Sequence, residues 1–172
     1  FKPELVLENR LSDVMSGVTA AGSGSESLRS FTERVASGTP TPGGGSVAAL
    51  SGALGAALGQ MAIRITKDKK DYQQHEERYA AALKLLGHHT SALLEMIDLD
   101  TEAFNRVLEA YRLPKESRAR ERSIQEALAD ATDAPARTAT LAGEALLMLE
   151  DVGSIIHANV VSDFQVALEM LR

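Results

Sequence analysis

The chain has 172 residues, a formal net charge of −6, 44% apolar and 4% aromatic residues, no tryptophan and no cysteine. That is one domain's worth of chain with enough apolar surface for a core, and its acidic balance excludes nucleic acid as the main partner, because a phosphate backbone calls for a basic footprint. The missing cysteines exclude a disulfide framework and a thiolate metal site and fit a cytoplasmic location.

Residues 4–15 place Leu5, Leu7, Leu11 and Val14 roughly on one side, which predicts a short amphipathic helix. Ser16 to Ser27 is rich in glycine and serine and reads as a linker. Residues 1–27 are therefore read as a helix and arm, and 28–172 as the folded domain. No apolar stretch of a signal peptide follows the start, and Phe1 in place of methionine reads as a fragment or a lost start.

The next helix is expected to begin near Ser27 to Ser30, with Ser30 and Glu33 matching a capping box, and to stop at Gly38. Then comes Thr39-Pro40-Thr41-Pro42-Gly43-Gly44-Gly45-Ser46. The prolines stiffen the backbone, the glycines open conformations a Cβ forbids, and Ser46 is the expected N-cap of the following helix. Amide donors at such a terminus attract anions or carbonyl oxygens. A tight turn that merely starts a close-packed helix fits equally. No Gly-Lys-Ser/Thr closes the loop, so it is not a Walker loop.

The helix expected from Val47 to about Lys67 carries Gly52, Gly55, Ala56 and Gly59 on one side. Each glycine costs roughly 1 kcal/mol relative to alanine, so close approach of another backbone or of a flat ligand is expected there. A membrane span is rejected, because the run is alanine and glycine rather than leucine and isoleucine and Arg64 interrupts it. Lys67, Lys69 and Lys70 cluster at its end, where cations suit the helix dipole; an anionic substrate tail is the sharper alternative.

From about Asp71 to Leu113 a long helix is expected, with Tyr72, Tyr79, Leu83, Leu86, Leu93, Ile97, Phe104, Leu108 and Tyr111 as its apolar stripe. Leu113-Pro114 ends it. A second long helix follows Lys115 and runs to about Glu150, with a kink expected at Pro135. Gly153 breaks it, and Ser154 to Arg172 forms a last helix in one or two pieces. No segment alternates with period two, so the fold expected is all-α, a bundle of long antiparallel helices.

Asp100 falls in the apolar stripe, where a carboxylate is costly unless paired, neutralised or at work. A structural acid bonded to another helix's end, or to Arg64, is the bland alternative. Asp163 follows Ile156 and Val160 on the last stripe with Asn159 one turn before it. Against a catalytic role, Ser162-Asp163-Phe164-Gln165 fits a capping box, and an acid in a first turn suits the dipole. The four histidines lack ligand spacing and are read as solvated or at interfaces; no metal site is expected.

Taken together, these residues resemble the cyclodeaminase domain of formiminotransferase-cyclodeaminase and the related methenyltetrahydrofolate cyclohydrolases. The resemblance is carried by Ser37 to Leu58, Lys69-Lys70 with Tyr72, Asp100 with Ala103-Phe104, Leu113-Pro114-Lys115, and Asn159 with Ser162-Asp163 and Val166-Ala167, in order over about residues 28–170. It implies an all-helical homodimer, fused to or partnered with a formiminotransferase domain, that binds a tetrahydrofolate, often polyglutamylated. No cofactor is implied beyond that substrate, and no membrane or nucleic acid partner. The reaction implied first closes 5-formiminotetrahydrofolate to 5,10-methenyltetrahydrofolate with loss of ammonia; the alternative hydrolyses the methenyl bridge to 10-formyltetrahydrofolate. Asp100 and Asp163 are then the expected acid and base. Pro42, Gly43, Gly44, Gly45, Ser46, Phe104 and Asn159 are expected to hold the pterin or a carboxylate, and Lys69, Lys70 and Lys115 the glutamate tail. The chain departs from the family at Ala158, where glycine is usual, and it ends at Arg172 before a Gly-Ala-rich segment that members carry. A helical dimerisation module without catalysis is the competing class.

Overall fold

The computed structural model describes residues 27–172; the helix read over 4–15 and the linker up to residue 26 lie outside them. Five α-helices follow one another: α1 Leu28–Ala36, α2 Gly44–Lys67, α3 Glu76–Arg112, α4 Arg120–Val152 and α5 Val161–Leu171. Among the described residues there is no strand, so the all-α expectation holds.

Helix α1 is capped by Ser27, whose hydroxyl accepts from the Ser30 N–H at 3.2 Å. The cap is therefore Ser27 and not Ser30. It ends at Gly38, whose φ of 83° is the left-handed conformation that favours glycine. A short 3-10 turn, Lys70–His75, precedes α3, so the long helix starts at Glu76 rather than Asp71. The second long helix starts at Arg120, five residues beyond Lys115, and runs unbroken through Pro135.

Helix α2 is the axis of the bundle, with three helices packed around it. α3 runs antiparallel to it, from a Gln60–Thr90 hydrogen bond of 2.9 Å to contacts between Ser46 and Asp100 at the other end. α5 is also antiparallel: His157 N–H donates to Thr66 Oγ1 at 3.1 Å, and Ser51 Oγ donates to the Met170 carbonyl at 3.2 Å. The length and composition of α2 would let a helix cross a membrane. Here its inner faces instead supply Ala49, Ala53, Ala56, Ala62 and Ile63 to the core.

The glycines of α2 mark where neighbours come close. A Cβ on Gly59 would lie 2.6 Å from two methyls of Leu149, one on Gly55 would lie 3.0 Å from the Ala167 carbonyl, and one on Gly52 would lie 3.3 Å from Leu93. The small-residue side thus serves helix packing. Gly59→Ala should cost about 1–3 kcal/mol by overpacking. Gly143→Ala in α4, where a Cβ meets nothing within 4 Å, should instead add roughly 0.5–1 kcal/mol of helix propensity. Urea denaturation of the two variants checks the pair; equal shifts would contradict this packing.

In α3 the core takes Tyr79, Leu86, Leu93 and Leu108 from the expected stripe, and also Ala82, Met96, Ala103 and Val107. The Tyr79 hydroxyl donates to the Ile155 carbonyl at 2.5 Å; burial pushes its pKa above the usual tyrosine value, with Tyr72 adding and Arg78 opposing. His89 corrects the solvated reading of the histidines. It is buried between the Leu85 carbonyl and Glu144, 2.7 and 2.9 Å from its two ring nitrogens.

Beyond Asp100, α3 continues for about three turns and packs against the first half of α4. A second small core of Val107, Ala110, Ile124 and Ala127 holds that hairpin together. It carries Lys115, exposed in the connection between the two helices.

Candidate active site

The glycine loop meets Asp100 through the first turn of α2. That helix begins at Gly44, with Gly43 as its N-cap and no side-chain cap. Ser46 is thus not the cap but the third residue of the first turn, fully buried. Its N–H, one of the donors a helix start leaves unpaired, donates to Asp100 Oδ2 at 2.8 Å. Its hydroxyl donates to the same oxygen at 2.8 Å or to the Ile97 carbonyl at 3.1 Å. Thr101 Oγ1 lies 3.3 Å away as a further partner. The carboxylate of one helix therefore closes the start of another, where the dipole favours negative charge.

Gly45 is what lets the two helices approach. A Cβ there would sit 2.1 Å from Asp100 Oδ1 and 2.6 Å from Cγ, inside any van der Waals contact. Pro42 is buried beneath the loop, its peptide bond to Thr41 is cis, and a Cβ on Gly44 would meet nothing within 4 Å. The open side of the loop is at Gly44, next to the half-buried Asp100. Among the described residues both hydrogen bonds to the carboxylate land on Oδ2, leaving Oδ1 for another partner. Phe104, half-buried, follows Asp100 by one turn on the same side of α3. Arg64 bonds Gln60 at 3.1 Å and is not the partner of Asp100.

The other expected site residues stand elsewhere. Lys69 and Lys70 are exposed beyond the far end of α2, about 33 Å from the loop at 1.5 Å per residue. Next to them the Tyr72 ring lies 5.4 Å from His157, and His157 Nδ1 accepts the Asn159 N–H at 3.1 Å, so Asn159 belongs to that end. Asp163 is half-buried in the first turn of α5, whose N-cap is Val160 without a side-chain cap; the capping box at Ser162 does not form. The Gly55–Ala167 contact sets the register and puts Asp163 about 20 Å along α2 from Ser46. Lys115 lies about 20 Å beyond Asp100 in the opposite direction. One chain thus assembles Pro42 to Ser46, Asp100 and Phe104, whereas Lys69, Lys70 and Asn159 stand at the far end of α2 and Asp163 stands between the two groups. The sequence reading missed Thr101 and the Ile97 carbonyl as partners of Ser46. Their only signal is helical spacing around Asp100.

The family model described as formiminotransferase-cyclodeaminase matches residues 27–172. A methenyltetrahydrofolate cyclohydrolase of Methylorubrum extorquens is 41% identical over 149 residues, 84% of this chain and 72% of that protein. The formimidoyltransferase-cyclodeaminase of Gallus gallus is 32% identical over 165 residues, 92% of this chain but 30% of the chicken protein, so the chain spans less than a third of that relative. The crystal structure of a formiminotetrahydrofolate cyclodeaminase from Thermotoga maritima superposes with a TM-score of 0.77 at 28% identity, covering 86% of this chain and 71% of that one. With fold, loop and sequence in agreement over residues 27–172, the chain belongs to the formiminotransferase-cyclodeaminase family of folate one-carbon enzymes.

Proposed function

We propose that the chain closes 5-formiminotetrahydrofolate to 5,10-methenyltetrahydrofolate and releases ammonia. N10 attacks the formimino carbon, giving a tetrahedral carbon between N5 and N10; N10 gives up its proton, the former imine nitrogen gains that proton and one more and leaves as ammonia, and the cationic methenyl bridge remains. Only protons move, so a positioned carboxyl suffices as acid or base. The carrying observation is Asp100, anchored by Ser46 through Oδ2 while Oδ1 sits against Gly45 at the mouth of a glycine loop. In this reading Oδ1 exchanges the proton, the loop amides hold a pterin or carboxylate oxygen, and Phe104 lines the ring. Lys69, Lys70 and Lys115 are proposed for the glutamate tail, Asp163 and Asn159 for the second proton site, and the cytoplasm as the location.

The 41% identity to a methenyltetrahydrofolate cyclohydrolase favours a second reading, in which water adds to the methenyl carbon, N5 departs with a proton, and 10-formyltetrahydrofolate forms. The same residues would serve. Following the methenyl chromophore separates them: it rises from 5-formiminotetrahydrofolate in the first case and is consumed above the spontaneous rate in the second. No change from either substrate, with no folate binding by calorimetry, leaves only the dimerisation module.

A further inference from the structure

Threonines inside these helices turn their hydroxyls back on their own backbone. Thr32, Thr66, Thr90, Thr138 and Thr140 each donate to the carbonyl four residues earlier, at 2.8 to 3.1 Å. Thr132 donates three residues back, at 2.7 Å. Among the described residues of the α-helices, Thr101 is the exception. The carbonyl open to it is that of Ile97, but Ser46 Oγ approaches that oxygen instead, at 3.1 Å. Thr101 Oγ1 is turned toward Ser46 Oγ, 3.3 Å away.

Ser46 is fully buried, so its oxygen needs a donor as much as its proton needs an acceptor. Among the described residues two groups can supply that donor: the Thr101 hydroxyl, or the Asp100 carboxyl with a proton on Oδ2. Two arrangements follow. In the first, Thr101 donates to Ser46 Oγ, and Ser46 donates to Asp100 Oδ2 at 2.8 Å. Oδ2 then accepts twice, from the Ser46 hydroxyl and N–H, and a proton taken up by the carboxyl has its place on Oδ1. In the second, Oδ2 carries the proton and donates it to Ser46 Oγ, whose own proton turns to the Ile97 carbonyl. The proton then sits behind the carboxyl, away from the loop mouth.

We infer that Thr101 is a positioning residue for Asp100. By supplying the donor that Ser46 requires, it keeps the exchangeable proton on Oδ1. Without it, the buried Ser46 oxygen is satisfied only by taking the carboxyl's proton, which favours the second arrangement. Each link from Thr101 through Ser46 to the carboxylate also strengthens the next. The chain of hydroxyls stands on the contacts above; only the use of the proton rests on the folate reading.

Thr101→Val keeps the branched shape of the side chain and removes the hydroxyl. Turnover of whichever folate the wild type converts should fall about tenfold, with KM within about twofold. Thr101→Ser should recover most of that loss. In a Ser46→Ala background, where no buried hydroxyl needs a donor, Thr101→Val should slow turnover no further. A double-mutant cycle in urea reads the same chain without folate: Ser46→Ala and Thr101→Val together should destabilise by less than the sum of the two. Wild-type turnover in Thr101→Val, a Thr101→Ser variant as slow as Thr101→Val, or an additive cycle overturns the inference. A wild type that converts neither folate removes the folate reading, while a non-additive cycle keeps the chain.

Discussion

Gly45→Ala should lose both stability and turnover, although it replaces a helical glycine by the best helix former. The propensity gain is about 1 kcal/mol. Against it stands a methyl placed 2.1 Å from Asp100 Oδ1 and 2.6 Å from Cγ. Asp100 is held by two hydrogen bonds to a fully buried serine, so either the carboxylate swings off Ser46 or α3 shifts from α2. Loss of charge-assisted bonds and overpacking together come to about 2–4 kcal/mol, which exceeds the gain. Thermal unfolding and the chromophore assay should both fall, turnover by about a hundredfold. The double variant Gly45→Ala with Asp100→Ala removes the clash but leaves the Ser46 N–H without its acceptor, so it should recover the overpacking part of the loss and none of the activity. Full activity in Gly45→Ala would show that the Asp100 geometry does not matter to the reaction.

Asp100→Asn should separate the two roles of this residue. The amide oxygen can still accept from the Ser46 N–H and hydroxyl, so the helix junction stays closed and the change in stability should stay within about 1–2 kcal/mol. An amide cannot exchange the proton, and a lost general acid or base typically removes about 100- to 10,000-fold of rate. The expected result is a folded protein that binds the folate by calorimetry and turns it over at least about a hundredfold more slowly. Asp100→Leu supplies the contrast, since it strands the Ser46 N–H and should destabilise as well. If Asp100→Asn keeps its rate, Asp100 only closes the α2 start, which is the structural role open from the sequence.

Much of this was legible in the chain itself. Periodicity marked α2 to α5, and breakers marked their ends: Gly38 stops α1 and Gly153 stops α4, because such signals act within a turn or two of their own position. The unusual residues were legible as well, a carboxylate on an apolar stripe and three glycines before a helix, since each is costly without a reason. What local rules could not supply was the partner. Ser46 has the chemistry of an N-cap, yet its N–H is satisfied by Asp100 from across the bundle, and the helix begins three residues earlier, at Gly44 rather than Val47. Ser30 and Ser162 failed as caps for a related reason: the helix starts are set by Ser27 in one case and by packing around Val160 in the other. Helix direction decided the rest. Because α3 and α5 both run antiparallel to α2, Asp100 and Asp163 fall about 20 Å apart and the lysines scatter to opposite ends. The residue types and spacings determined by themselves a helical domain with a glycine loop and a costly carboxylate at Asp100, and the resemblance of its motifs to a known family pointed to folate; which of those residues meet depended on tertiary register, because contacts between distant positions follow from how whole helices lie against one another.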